Sequence, residues 1–247
     1  MADSETLIPL HEALRRNARN HPGRDAYIWY GRHISWAEMD AASDAFAARL
    51  QALGVGRGEP VALFMNNCPQ YVMAHYGIQK IGAIVCPCGP LNKEHELEYQ
   101  LNDLQTRIII AADVLLPVVD KVRSSTALQH VLAVRYGDWL PAVPTLPLPA
   151  ELQAPVQQLP ADVTSFWDLM HSAARPSPVE VDMDDVALMT YTSGTTGLPK
   201  GAMLSFGAAA YKTAGASQVT GVSAEDVLLA VAPLYHIAGM SMGVNMP

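Results

Sequence analysis

The first half of the chain alternates two kinds of signal, and that alternation limits the fold more than any other feature. Apolar runs of four or five residues stand at 61–65, 83–86, 107–111 and 130–134. Between them lie segments long enough for helices. Parallel strands need crossovers of a dozen or more residues, usually helical, so this rhythm predicts βαβ units and an α/β fold with largely parallel sheets and flanking helices. The helix expectations have local reasons. Residues 10–20 place Leu10, Leu14 and Ala18 on one side and stop at His21-Pro22-Gly23. Ser35 and Glu38 have capping-box spacing, and Gly54 supplies a stop for the helix they start. Helices are also expected over 70–81, 95–103 and 114–122.

From about Tyr136 the composition changes. Eight prolines fall between Pro141 and Pro178. Proline removes amide donors and fixes φ, so the stretch reads as surface connector with polyproline character, holding one helix at 165–174. A new strand is expected at 186–191. The organisation expected is a first α/β subdomain over 1–136, a Pro-rich connector over 137–180, and the start of a second α/β subdomain over 181–247. The last eleven residues are almost wholly apolar. That ending is expected of the N-terminal part of a longer protein, whether natural, engineered or proteolytic.

Composition narrows the function. Sixteen basic and 24 acidic side chains among 247 residues give a formal charge of −8. An acidic surface argues against nucleic acid as the main partner, because phosphate contacts need a basic face. Acids stand at the N-terminus where a signal peptide carries Lys or Arg, and no apolar run reaches the ~18–20 residues of a spanning helix. Three cysteines, Cys68, Cys86 and Cys88, are too few and too clustered for a disulfide framework. A cytoplasmic protein without an integral membrane segment is expected. A homodimer is compatible with the sequence, which does not set the oligomeric state.

The segment that carries chemistry is Tyr191-Thr192-Ser193-Gly194-Thr195-Thr196-Gly197-Leu198-Pro199-Lys200-Gly201. Glycines let successive amides point at a bound anion. The hydroxyls of Thr192, Ser193, Thr195 and Thr196 donate to phosphate oxygens, and Lys200 adds a positive charge. Charge-assisted hydrogen bonds of about 1.5–3 kcal/mol each could hold a triphosphate on an acidic protein. The string is not a Walker A loop, since Pro199 and Gly201 stand where that pattern has Gly and a hydroxyl. A polar turn between two strands is the plainer reading of such a cluster.

This string resembles the phosphate-loop signature of the adenylate-forming superfamily, which includes acyl-CoA synthetases. Three other segments are similar to that family as well: Pro233-Leu234-Tyr235-His236-Ile237-Ala238-Gly239, the turn Gly54-Val55-Gly56-Arg57-Gly58-Glu59-Pro60, and Lys80-Ile81-Gly82-Ala83-Ile84-Val85-Cys86-Pro87. The resemblance covers nearly the whole chain and implies part of the large N-terminal domain of such an enzyme. It implies that Thr192, Ser193, Gly194, Thr195, Thr196, Gly197 and Lys200 bind the phosphates of ATP. Thr195 or Thr196 would share a magnesium ion, and His236 would be the catalytic residue beside the acyl carboxylate. It implies a carboxylic acid, ATP and coenzyme A as small-molecule partners, with a fatty acid as first substrate and an aryl acid as second. A nucleotide-binding fragment without catalysis is the alternative. Two departures stand out. Phe206-Gly207 occupies the place of a frequent His, and Cys88-Gly89 the place of a pair ending in Asn. The family's later motifs have no counterpart in these residues.

Other signals weigh less. Gly239-Met240-Ser241-Met242-Gly243 matches the Gly-x-Ser-x-Gly elbow of serine hydrolases, but no Asp, Glu or His follows Ser241. Met240, Met242 and Val244 suit an alkyl chain and equally suit core packing. Cys86-Pro87-Cys88 lacks zinc spacing and reads as a pair of buried thiols. His11-Glu12 and His95-Glu96 lack a second His and read as surface helix positions.

Overall fold

A computed structural model describes residues 7–153, 158–170, 173–192 and 198–245. Helix α1 (Leu10–Asn20) has the limits its periodicity predicts. A hairpin that the sequence did not reveal follows, β1 (Asp25–Trp29) and β2 (Arg32–Ser35). Its turn places Tyr30 at φ 49° and Gly31 at φ 93°. Two left-handed residues make the turn that matches strand twist, and a Tyr in the first place hides the usual Asn-Gly or Asp-Gly signal. Helix α2 (Trp36–Ala52) starts on a complete capping box: the Glu38 amide donates to Ser35 Oγ at 3.2 Å, and the Ser35 amide to Glu38 Oε2 at 2.9 Å. Gly54, at φ 79°, follows its end.

The central repeat then runs β3 (Pro60–Phe64), α3 (Pro69–Lys80), β4 (Ile84–Cys88), α4 (Glu94–Leu104), β5 (Ile108–Ala112), α5 (Leu116–Arg123) and β6 (His130–Val134). The Pro-rich stretch contributes a short helix α6 (Ala150–Gln153), a strand β7 (Val163–Ser165) and a helix α7 (Phe166–Met170). It is therefore not surface throughout: β7 pairs with β6, and Phe166 and Met170 are buried. Beyond it come β8 (Val186–Thr192), β9 (Lys200–Ser205), α8 (Phe206–Thr220) and α9 (Ile237–Met240), which continues as a wider π turn over Ser241–Asn245.

Seven strands form one sheet in the order β7-β6-β5-β3-β4-β8-β9. Every neighbouring pair is parallel except β8–β9. The sheet runs on through the division expected at 181, because β8 pairs with β4. Side chains alternate between its faces as strand geometry requires. Val61, Leu63, Ile108, Ile110, Leu132 and Val134 join one core, together with residues of α1, α2, α3 and α7. Ala62, Phe64, Ile109, Ala111, Val131 and Ala133 join a second, with residues of α4 and α5. Strands covered on both faces read as continuous apolar runs, which is why they were visible in the sequence.

Helix α3 is buried along its whole length, between sheet and outer helices. Its last residue, Lys80, is sealed from solvent and bound to α2 through the Asp40 carbonyl, Asp40 Oδ1 and Asp44 Oδ1 at 2.9, 2.5 and 2.7 Å. His11 is buried as well, not a surface position. Burial, and then Arg15 and Lys80, push it down to about 3. Among the described residues no helix is long and apolar enough to cross a membrane.

Candidate functional site

Open parallel sheets bind ligands beyond the carboxyl ends of their strands, where neighbouring connections leave in opposite directions. The connection after β4 returns across β3 to β5, whereas β8 turns outward to β9. The crevice between β4 and β8 is such a point. Pro87 in β4 has no N–H for a ladder, and its carbonyl takes the side-chain amide of Gln100 at 2.8 Å. The registered pairing of β4 with β8 is Val85 with Leu188, so the two strands are not laced together toward their carboxyl ends.

On one side of the crevice stands the β8–β9 hairpin. Thr192 ends β8 opposite Lys200, which begins β9, and both are exposed. The structure thus brings these two predicted residues together as the stem of one bend. Ser193, Gly194, Thr195, Thr196 and Gly197 lie outside the described residues. So does the magnesium assignment to Thr195 and Thr196. Among the described residues no three His, Cys, Asp or Glu side chains gather as a metal site.

On the other side stands the segment carrying His236. The Tyr235 ring lies 3.8 Å from where a Cβ on Gly89 would be, so this segment meets the turn after β4. His236 is exposed at the start of α9, and its Nδ1 accepts the Ala238 amide at 3.3 Å. With Nδ1 an acceptor, the ring proton sits on Nε2, which is left as an outward donor. Three features fix the backbone around it. Asn67 donates to the Ala230 and Ala232 carbonyls at 3.0 and 2.9 Å and accepts the Leu234 amide at 2.8 Å. Gly239 lets α9 approach the preceding turn so closely that an added Cβ would lie 2.0 Å from the Pro233 carbonyl oxygen. Tyr76 of α3 donates to the Val244 carbonyl at 2.7 Å.

Asn67 is the residue that sequence reasoning missed. Its only signal was position, a carboxamide just past the carboxyl end of a buried strand. Other expectations resolve differently. Ser241 is buried, in a helical turn and not a strand-to-helix elbow, and its hydroxyl donates to the Ile237 carbonyl at 2.8 Å. That geometry does not present a nucleophile. Met240 and Val244 pack in the core, while Met242 is exposed. All three thiols are buried, and burial raises them, Cys68 and Cys86 to about 12. Such thiols are inert at neutral pH. A cavity of about 340 Å³ lies elsewhere, against Glu38, Trp139 and Trp167; no candidate residue lines it.

Comparison with known proteins finds relatives over nearly the whole chain. The family model described as AMP-binding enzyme matches residues 14–247. The chain is 30% identical over 245 residues to the long-chain-fatty-acid–CoA ligase of Bacillus subtilis (strain 168), covering 96% of this chain and 44% of that protein. It is 32% identical over 252 residues to the protein of that name from Salmonella typhimurium (strain LT2), again 96% of this chain and 44% of the other. It therefore spans less than half the length of these curated relatives. A putative long-chain-fatty-acid CoA ligase from Rhodopseudomonas palustris CGA009 shares the fold, with a TM-score of 0.82 at 22% identity over 98% of this chain and 55% of that one. The N-terminal domain of FACL13 from Mycobacterium tuberculosis, solved with an inhibitor bound, gives 0.73 at 26% identity, over 96% of this chain and 54% of that one.

Proposed function

Because this chain belongs to the AMP-binding enzyme family, we propose that it forms the N-terminal part of an acyl-CoA synthetase and carries the phosphate-binding bend of that enzyme. The reaction has two steps. A carboxylate oxygen attacks the α-phosphorus of ATP, giving acyl-AMP and releasing pyrophosphate. The thiol of coenzyme A then attacks the acyl carbon and displaces AMP. Both steps transfer a group between ligands without a covalent bond to the protein, so the protein contributes position and charge. Thr192, Lys200 and the residues between them would hold the polyphosphate, and Thr195 or Thr196 would share its magnesium ion. Magnesium, when bound, supplies charge neutralisation between phosphate oxygens. His236 offers its Nε2 proton to the acyl carboxylate and orients it. A long-chain fatty acid is the favoured substrate, because the relatives named above carry that activity in their names; an aryl acid is the second. The protein acts in the cytoplasm.

The observation that carries this reading is the meeting of two stems at one crevice. The Thr192–Lys200 pair flanks β4 on one side, and the Tyr235–His236 segment touches Gly89 at the end of the same strand. Pyrophosphate–ATP exchange across a panel of carboxylic acids tests it, run on this chain and on any longer product of the same gene. Exchange by the longer product and not by the 247-residue chain is expected. Exchange by neither, with every acid, would remove the synthetase assignment. For the chain itself, ATP binding should weaken roughly tenfold or more in Lys200→Ala, the loss of one charge-assisted hydrogen bond.

A further inference from the structure

Helix α4 lies beside the β8–β9 hairpin and contacts both of its stems. Tyr99 Oη donates to the Pro199 carbonyl at 2.9 Å, just before β9. One turn further along, Asp103 Oδ2 accepts the hydroxyl of Tyr191, the residue before Thr192 in β8. Tyr99 and Asp103 are four positions apart, so they share one helix face, and that face meets the hairpin. Burial and the neighbouring Asp103 carboxylate raise the Tyr191 phenol, which therefore stays a donor. Tyr191 pairs across the hairpin with Gly201, where an added Cβ would sit 3.4 Å from the Tyr191 ring and 3.1 Å from Met189 Sδ. A side chain at 201 would crowd the path by which the ring reaches α4.

The helix is itself a rigid support. Leu97, Leu101 and Leu104 are buried in the cores, Gln100 is tied to Pro87, and Asn102 Nδ2 donates to the Ser125 carbonyl at 3.1 Å. Its N-terminus follows the Gly89 turn, the same turn that Tyr235 meets. We propose that Tyr99 and Asp103 form a two-point clamp that fixes the separation and tilt of β8 and β9 where Thr192 pairs with Lys200, making them positioning residues for a polyphosphate ligand held by those two side chains. The ligand part rests on the functional reading above; the clamp itself does not.

Two measurements on the 247-residue chain decide it. The first is amide hydrogen exchange in Tyr99→Phe, Asp103→Leu and Asp103→Asn. The Asn and Leu variants lose the same charge, but only Asn keeps an acceptor for the Tyr191 hydroxyl. Exchange across 188–203 should quicken about fivefold in Tyr99→Phe and Asp103→Leu, the loss of one ordinary net hydrogen bond, and stay near wild type in Asp103→Asn. Strands β3 to β6 should keep their protection. The second is calorimetric titration with inorganic pyrophosphate, where the first two variants should bind about fivefold more weakly and Asp103→Asn should not. Unchanged exchange at 188–203, a loss of protection spread evenly over the sheet, or an Asn variant that matches Leu would overturn the clamp. Wild-type chain that does not bind pyrophosphate would overturn the ligand assignment of the bend, whatever exchange shows.

Discussion

Strands β3 to β6 and the β8–β9 hairpin belong to one sheet yet are buried in opposite ways. Apart from Pro60 and His130 at their first positions, every residue of β3, β4, β5 and β6 is buried. In β8 only Ala187 and Leu188 are, and in β9 none is. The difference continues beyond the hairpin. Tyr211, Val219, Val227, Leu229 and Val231 are exposed, Leu229 at 85%. Val227, Leu229 and Val231 alternate as strand residues do, but no strand forms there. Large apolar side chains stand in both regions, so their presence alone does not decide burial. A helix layer on each face does, and β3 to β6 have two such layers. The first region is a finished core, and the second is a platform that carries the candidate site.

Four changes break or sharpen this contrast. The largest effect belongs to the finished core. Lys80→Met leaves Asp40 and Asp44 without their buried cation and should cost about 3–5 kcal/mol in urea unfolding at pH 7. Acidification should find the same region next. Burial holds His75 at about 3, and burial with two nearby cations does the same for His11, against 6.5 in an unfolded chain. The unfolded chain then takes up protons that the folded one refuses. Stability is complete above pH 6.5 and is lost as pH falls from there toward 3, by about 2 kcal/mol per His between pH 7 and pH 5. Urea unfolding at the two pH values should show this loss, and His75→Leu should remove about half of it.

Smaller effects belong to the platform. Gly239→Ala forces a Cβ against the Pro233 carbonyl and should cost about 1–3 kcal/mol. Proton-exchange protection should fall across 230–245 and not in β3 to β6. Leu229→Ser should change stability by less than about 0.5 kcal/mol, as exposed positions do, while lowering the binding of a hydrophobic dye. A loss of several kcal/mol in that variant would show that the face is already covered.

Much was legible because it was local. The limits of α1, the Ser35–Glu38 capping box and the run at 130–134 each depend on residues within one turn or one strand of each other. Thr192 and Lys200 lie close in the chain too, and they pair across β8 and β9. The β1–β2 hairpin was not, because Tyr30 takes a left-handed conformation that its residue type does not advertise. Strand β7 was not, because three residues among prolines gain strand geometry only from pairing with β6.

The sequence by itself determined most elements of the central repeat and the alternation that makes a parallel sheet. Tertiary structure alone decided the strand order, and through it which segments share a crevice. Parallel pairing partners lie far apart in the chain, as Val85 and Leu188 do, and their choice depends on the sum of burial over the whole sheet. For that reason Asn67 comes to hold the turn before His236, and Tyr76 comes to hold the Val244 carbonyl. None of these roles can be read from neighbours in the chain, because each is set by a residue that only folding brings near.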